Sequence, residues 1–167
     1  MKSVFIMTVA GPETPGVINE LAHITHELGG KWTRSKIMKM DGLFSAIIKV
    51  SVDEGSVAEL KAEQEKTFPS LQFTYTESSG STVARVKKIA LEIDCKDQAG
   101  LIKDINSLML NLDLKVVHME SHRFEVAEIG RTVFSAKLDL EVPEATTAEN
   151  VAEEIETLGE NMRVHVL

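Results

Sequence analysis

A single cysteine, Cys95, stands in a chain of 167 residues, so no disulfide can form within it, and a reducing compartment fits. Aromatic residues are only 5% of the chain, and 18 lysines and arginines face 26 acidic residues, for a formal net charge of −8. That field repels a polyanion. With no basic run and few aromatic stacking platforms, direct binding to nucleic acid is not expected. No apolar stretch approaches the roughly 20 residues of a membrane span. Val4 to Val9 is too short for a signal peptide and lacks a basic lead and a cleavage site. The expectation is a cytoplasmic protein without membrane contact. No nucleophile and base stand at a recognisable spacing, so no catalysis and no cofactor is expected.

What is present is a repeat. Gly11-Pro12-Glu13-Thr14-Pro15-Gly16-Val17-Ile18 follows an apolar run and opens an amphipathic one, and Asp97-Gln98-Ala99-Gly100-Leu101-Ile102 does the same. Gly100 lies 84 residues after Gly16, and that offset carries Ile18 to Ile102, Leu21 to Ile105, Ile24 to Leu108 and Leu28 to Leu112. A whole helix face is duplicated. The chain therefore divides into an N-terminal domain at 1–78 and a C-terminal domain at 86–167. The polar, small residues of a linker at about 79–85 separate them.

Val4 to Val9 is apolar on both sides and predicts a central strand covered on both faces. Thr14 is a candidate N-cap with Pro15 in the first helical position, for a helix from Pro15 to Leu28 closed by Gly29-Gly30. Trp32 to Met40 and Phe44 to Val52 flank Asp41-Gly42, a strong hairpin signal. Ser56 with Glu59 suggests a capping box, ahead of a helix carrying Val57, Leu60 and Phe68, and Leu71 to Thr76 makes a fourth strand. The second half repeats this βαββαβ order. Ile89, Leu91 and Ile93 alternate in one strand, and Phe134 through Val142 alternate in another. Thr146 with Glu149 forms a second capping box, and Met162 to Val166 closes the sheet. Phe134-Ser135-Ala136 lies 90 residues after Phe44-Ser45-Ala46, so six residues are gained, placed in the hairpin around Ser121 to Gly130. Two such units in tandem give an α+β fold of two ferredoxin-like domains, each an antiparallel sheet with helices on one face.

Other users of this topology are excluded by what their chemistry needs. RNA-recognition modules need sheet aromatics and basic charge, metal carriers need paired cysteines in the first loop, and an acylphosphatase needs a phosphate cradle where this chain has Glu13 and Asp97. The Pro15-Gly16-Val17-Ile18-Asn19 segment after an apolar strand, its Ala99-Gly100-Leu101-Ile102 copy and the duplicated pattern resemble tandem ACT domains, most closely the repressors of the glycine cleavage system. Glu13 stands where that family usually has Asp, and Ala99 replaces Pro in the second copy. The resemblance implies a non-catalytic, amino-acid-responsive transcriptional regulator. Its ligand would be a small amino acid such as glycine, and its partner a DNA-binding regulatory protein, gripped without contact to DNA. A homodimer is admitted. The competing reading is a ligand-free assembly module whose sheet edges pair into a dimer.

A free amino acid offers a carboxylate and an ammonium. A helix N-terminus suits the first and an acidic side chain the second. Each repeat has both, which makes Glu13, Thr14, Pro15, Gly16 and Val17 in one loop, and Asp97, Gln98, Ala99, Gly100 and Leu101 in the other, the candidate ligand-binding residues, at a seam between domains. The glycines would let the ligand come close. An acid before a helix is also good capping chemistry without any ligand. His118, Glu120 and His122 share a strand face by alternation, which reads as a solvent-facing hairpin and not as a metal site. His23 and His26 flank a buried helix face, and Cys95 reads as a small buried side chain.

Overall fold

The computed structural model describes residues 1–80 and 85–167. They fall into two compact units, Met1–Ser81 and Thr82–Leu167. Positions 81–84 of the expected linker lie outside the described residues. Among the described residues no helix is long and apolar enough to cross a membrane.

The first unit runs β1 (Lys2–Pro12), α1 (Val17–Glu27), β2 (Lys31–Met40), β3 (Leu43–Asp53), a 3₁₀ turn at Glu54–Ser56, α2 (Val57–Thr67) and β4 (Gln72–Glu77). Its sheet is antiparallel, in the order β2-β3-β1-β4. Phe5, Met7 and Val9 point to the helices and are buried, as are Phe44, Ala46, Ile48, Val50 and Val52 opposite them. Val17, Leu21 and Ile24 of α1 and Leu60 of α2 complete this core. β1 is central, as expected, but it is covered on one face only. Val4 is exposed and Ile6 and Thr8 are half-buried, because both helices sit on the same side of an antiparallel sheet.

The second unit runs β5 (Lys87–Lys96), α3 (Leu101–Asn111), β6 (Lys115–Val126), β7 (Arg131–Val142), α4 (Ala148–Glu156) and β8 (Arg163–Val166), with sheet order β6-β7-β5-β8. Its own core gathers Leu91, Ile93, Leu101, Ile105, Met109, Phe134, Leu138, Leu140, Val151 and Ile155. The six extra residues are distributed symmetrically: β6 ends two residues later than its counterpart β2, β7 begins two earlier than β3, and the connection has four residues in place of two.

The helix starts differ from expectation. Gly16, not Thr14, precedes α1, with φ 78° and ψ 4°, and Pro15 lies in the turn outside the helix. The N–H of Val17 donates to the Thr14 carbonyl at 3.2 Å, so Thr14 to Val17 forms a tight turn with Pro and Gly at the positions a type II turn favours. Ser56 makes no side-chain cap, and the capping threonine of α4 is Thr147, which accepts from the Asn150 N–H at 3.2 Å.

The helix ends agree with expectation and improve on it. Gly29 and Gly30 donate to His26 and Thr25, the paired bonds of a Schellman motif, with Gly29 at φ 74°. α3 ends the same way, Asp113 donating to Leu110 and Leu114 to Met109, but here a non-glycine residue holds φ 55°. Asp113→Gly is therefore expected to stabilise the second unit by about 0.5–1 kcal/mol, measured by urea unfolding.

Candidate functional site

Each loop between the first strand and first helix of a unit is tied down by the same backbone bond. The Glu13 N–H donates to Gly42 at 2.8 Å, and the Asp97 N–H donates to Thr132 at 2.9 Å. The chain turns sharply into the helix at Gly16 and Gly100, whose φ values are 78° and 81°. A Cβ at Gly16 would meet nothing within 4 Å, and one at Gly100 would meet only Asp104 Oδ2 at 3.9 Å. Backbone conformation, not crowding, demands glycine at these two positions. Val17 and Leu101 open the helices and face the cores, Val17 at 5% exposure and Leu101 at 0%. Thr14, Pro15, Gln98 and Ala99 lie on the loop surface.

Both acids carry a partner that the sequence reading did not find. Lys39, at the end of β2, donates its Nζ to Glu13 Oε1, and Arg123 on β6 donates its Nε to Asp97 Oδ1 at 2.8 Å. Lys39 and Arg123 are 84 residues apart, the offset that also separates Glu13 and Asp97. Each base faces a buried phenylalanine across its hairpin, Phe44 for Lys39 and Phe134 for Arg123. The Arg123 guanidinium lies 5.2 Å from the Phe134 ring centroid, a cation–π distance. The repeat has thus kept an acid–base pair at each helix start while exchanging Glu–Lys for Asp–Arg. The charged positions of the two halves, set at the offset of the apolar ones, would have exposed it.

These pairs are half-exposed, so their worth to stability is small. Chemically they present one cationic and one anionic group side by side, the anionic one four residues ahead of a helix's first residue. A concavity of about 590 Å³ adjoins the first loop, lined by Gly11, Pro12, Met38, Lys39, Met40 and Leu43 among others. Met38, Met40 and Leu43 are exposed apolar side chains at its mouth. Gly11 is crowded: a Cβ there would sit 2.6 Å from Leu71 Cδ2 and 3.0 Å from the Ser70 carbonyl, so this glycine holds the β1 end against the approach to β4.

Cys95 is buried in β5, two residues before Asp97. Burial pushes its thiol up, with Asp97 and Asp94 adding to the effect, which favours the neutral thiol over the thiolate. His118 and Glu120 approach to 4.0 Å and His122 stacks on Phe124 at the surface. Among the described residues no group of three or more His, Cys, Asp or Glu could hold a metal ion.

The family model for the ACT domain matches residues 3–74. Over the whole chain the fold is similar to that of an unknown protein from Galdieria sulphuraria, with a TM-score of 0.86 at 15% identity, covering 99% of this chain and 98% of that one. It is also similar to a protein provisionally described as a glycine cleavage system transcriptional repressor, with a TM-score of 0.73 at 12% identity, covering 100% and 98%. No curated protein matches the chain in sequence. At these identities the likeness is one of fold, two βαββαβ units in tandem, and the ACT-domain match lies within the first of them.

Proposed function

We propose, for a chain that folds as tandem ACT domains do, that it is a non-catalytic regulator that binds a small amino acid at one or both of its strand-to-helix loops. The observation that carries this reading is the duplicated ion pair, Glu13 with Lys39 and Asp97 with Arg123, each beside a helix start. A zwitterion is the complement of an ion pair. Its ammonium is taken by the acid and its carboxylate by the base and the helix N–H groups, so the ligand replaces one pair with two. The candidate residues remain Glu13, Thr14, Pro15, Gly16 and Val17, and Asp97, Gln98, Ala99, Gly100 and Leu101. Val17 and Leu101 contribute backbone only, since their side chains are in the cores. The concavity beside the first loop favours that loop for a ligand with a side chain, and glycine, having none, suits either.

Occupancy then shifts the affinity for a partner protein, and a coupling of about 1–3 kcal/mol is enough to switch it. The partner is a DNA-binding activator, held so that transcription is repressed. The net charge of −8 supports contact with protein in place of DNA.

The test is calorimetric titration of the full chain with each common amino acid, glycine included. At least one is expected to give saturable heat, and Glu13→Gln or Lys39→Met, together with Asp97→Asn or Arg123→Met for the second loop, is expected to weaken binding about ten- to a hundredfold. No saturable heat for any amino acid, or variants that bind as the parent does, would reject the ligand. A ligand-free assembly module is the second reading. What favours it is that both acids already have partners, which makes each pair a simple tie between a loop and a hairpin.

A further inference from the structure

The sheet of the first unit has a second face, turned away from its helices, and the charges there do not balance. Ile6 and Thr8 of β1, Thr74 and Thr76 of β4, Ile47 and Lys49 of β3, and Arg34 and Lys36 of β2 share it by alternation and register. Arg34 stands directly across the antiparallel pair from Lys49, and Lys36 stands across from Ile47. Like charges placed opposite each other destabilise a sheet. Among the described residues the ion pairs of this unit are Lys2 with Asp53 and Glu13 with Lys39, so none of these three cations has a carboxylate within 4 Å.

The three side chains rim a concavity of about 570 Å³, floored by Ile6 and Ile47 and bounded by Thr76 and Glu77 of β4. Glu77 is the one carboxylate among its lining residues, and it pairs in register with Phe5 of the opposite, helix-covered face. Ile47 is 53% exposed, an apolar side chain ringed by positive charge. In a chain of net charge −8, three unpaired cations have been gathered where two of them repel. A local conflict of this kind, relieved only when something negative arrives, marks a binding function retained at a cost in stability.

We propose that this concavity binds a small amphipathic dianion, a phosphate monoester or a dicarboxylate on a short aliphatic body. The head lies between Arg34, Lys36 and Lys49, and the body covers Ile6 and Ile47. The volume suits a small molecule. A single-stranded nucleic acid is the wrong occupant, because Phe5, Phe73 and Tyr75 pack toward the helix-side core and leave no aromatic platform on the open face. Three cations on an acidic protein also fall short of the basic cluster that an anionic membrane requires. This site shares no residue with the loops at Glu13 and Asp97.

The probe is hexyl phosphate, titrated calorimetrically into the full chain at pH 8, with inorganic phosphate and hexanol in parallel. Hexyl phosphate is expected to bind at least about tenfold more tightly than inorganic phosphate, through the partly buried methylenes. Arg34→Glu and Lys49→Glu should each weaken it about tenfold or more, Lys36→Gln less, and Glu13→Gln not at all. Without ligand, Arg34→Glu and Lys49→Glu should each melt about 1–4 °C above the parent, since an opposite-charge pair replaces a repulsive one; that gain also shows that the variants fold. The proposal is overturned if hexyl phosphate binds no better than inorganic phosphate, if the charge-reversed variants bind unchanged, or if they melt at or below the parent. It is equally overturned if phosphatidylglycerol vesicles are bound while soluble hexyl phosphate is not.

Discussion

Phe134→Ala is expected to cost the second unit about 3–5 kcal/mol and to lower its melting by roughly 15 °C or more, while the first unit melts where it did. Phe134 is 0% exposed and lies in the first third of β7, clustered with Leu101, Ile105 and Ile93 in a core that shares no member with that of the first unit. Removing the ring forfeits its transfer energy and leaves a cavity that a sheet backbone cannot collapse around. The same ring lies under the Arg123 guanidinium, so the substitution also loosens the Asp97 pair. Scanning calorimetry should show the parent profile split, with one transition moved down. If both transitions moved together, the two cores would not be energetically separate.

Thr25→Val is the second large effect, expected at about 1–3 kcal/mol in the first unit by urea unfolding. The substitution conserves shape and removes one hydroxyl, yet Thr25 is 1% exposed and its Oγ1 is the junction of a buried polar chain. It donates to the Leu21 carbonyl at 2.9 Å and accepts from Trp32 Nε1 at 3.1 Å and from Gln64 Nε2 at 3.4 Å. Gln64, 0% exposed, accepts in turn from the Tyr75 hydroxyl at 3.2 Å. Burial and the nearby Glu65 push the Tyr75 phenol up, so it stays protonated and remains a donor across any ordinary pH. Valine at 25 strands two buried or half-buried N–H groups. The second unit shows the apolar solution to the same problem: Met109, 84 residues on from Thr25, is buried in the core cluster that also holds the fully buried Ile155 of α4. Adding Gln64→Leu to Thr25→Val should therefore recover part of the loss, because removing both partners of a buried hydrogen bond is cheaper than removing one. A double variant no more stable than Thr25→Val alone would contradict this.

The element order was legible because apolar residues keep two distinct periods, 3.6 along Val17 to Leu28 and two along Phe134 to Val142, and because Asp41-Gly42 can close only one kind of hairpin, with φ 48° and 78°. The side-chain caps expected at Thr14 and Ser56 were misread for a common reason, whereas α4 does have a threonine cap, one residue on at Thr147. A serine or threonine before an apolar run scores as a cap, but a left-handed glycine or a 3₁₀ turn can enter a helix without any side-chain cap. The acids of the candidate loops were legible from the repeat. Their bases were not, since Lys39 and Arg123 lie 26 residues further on in strands whose pairing only the sheet reveals. The Thr25 chain was hidden because a threonine beside His26 and Glu27 reads as surface, and only the packing of α1 against β2 and α2 turns it inward.

The lengthened β6–β7 hairpin also says how such halves can diverge. Side chains on a strand alternate sides, so one residue added to either arm would invert every position beyond it and turn Phe134 and Leu138 to water. Growth by two in each arm leaves the inward set inward, and a connection lengthened by two accommodates the new tip. The finger that results, with Ile129 60% exposed at its end, lengthens or shortens by matched double steps without needing a bulge such as the one at Val116–His118. Variation in this lineage should therefore come as even-numbered increments at that tip, a ratchet imposed by the pleat and not by whatever the tip touches.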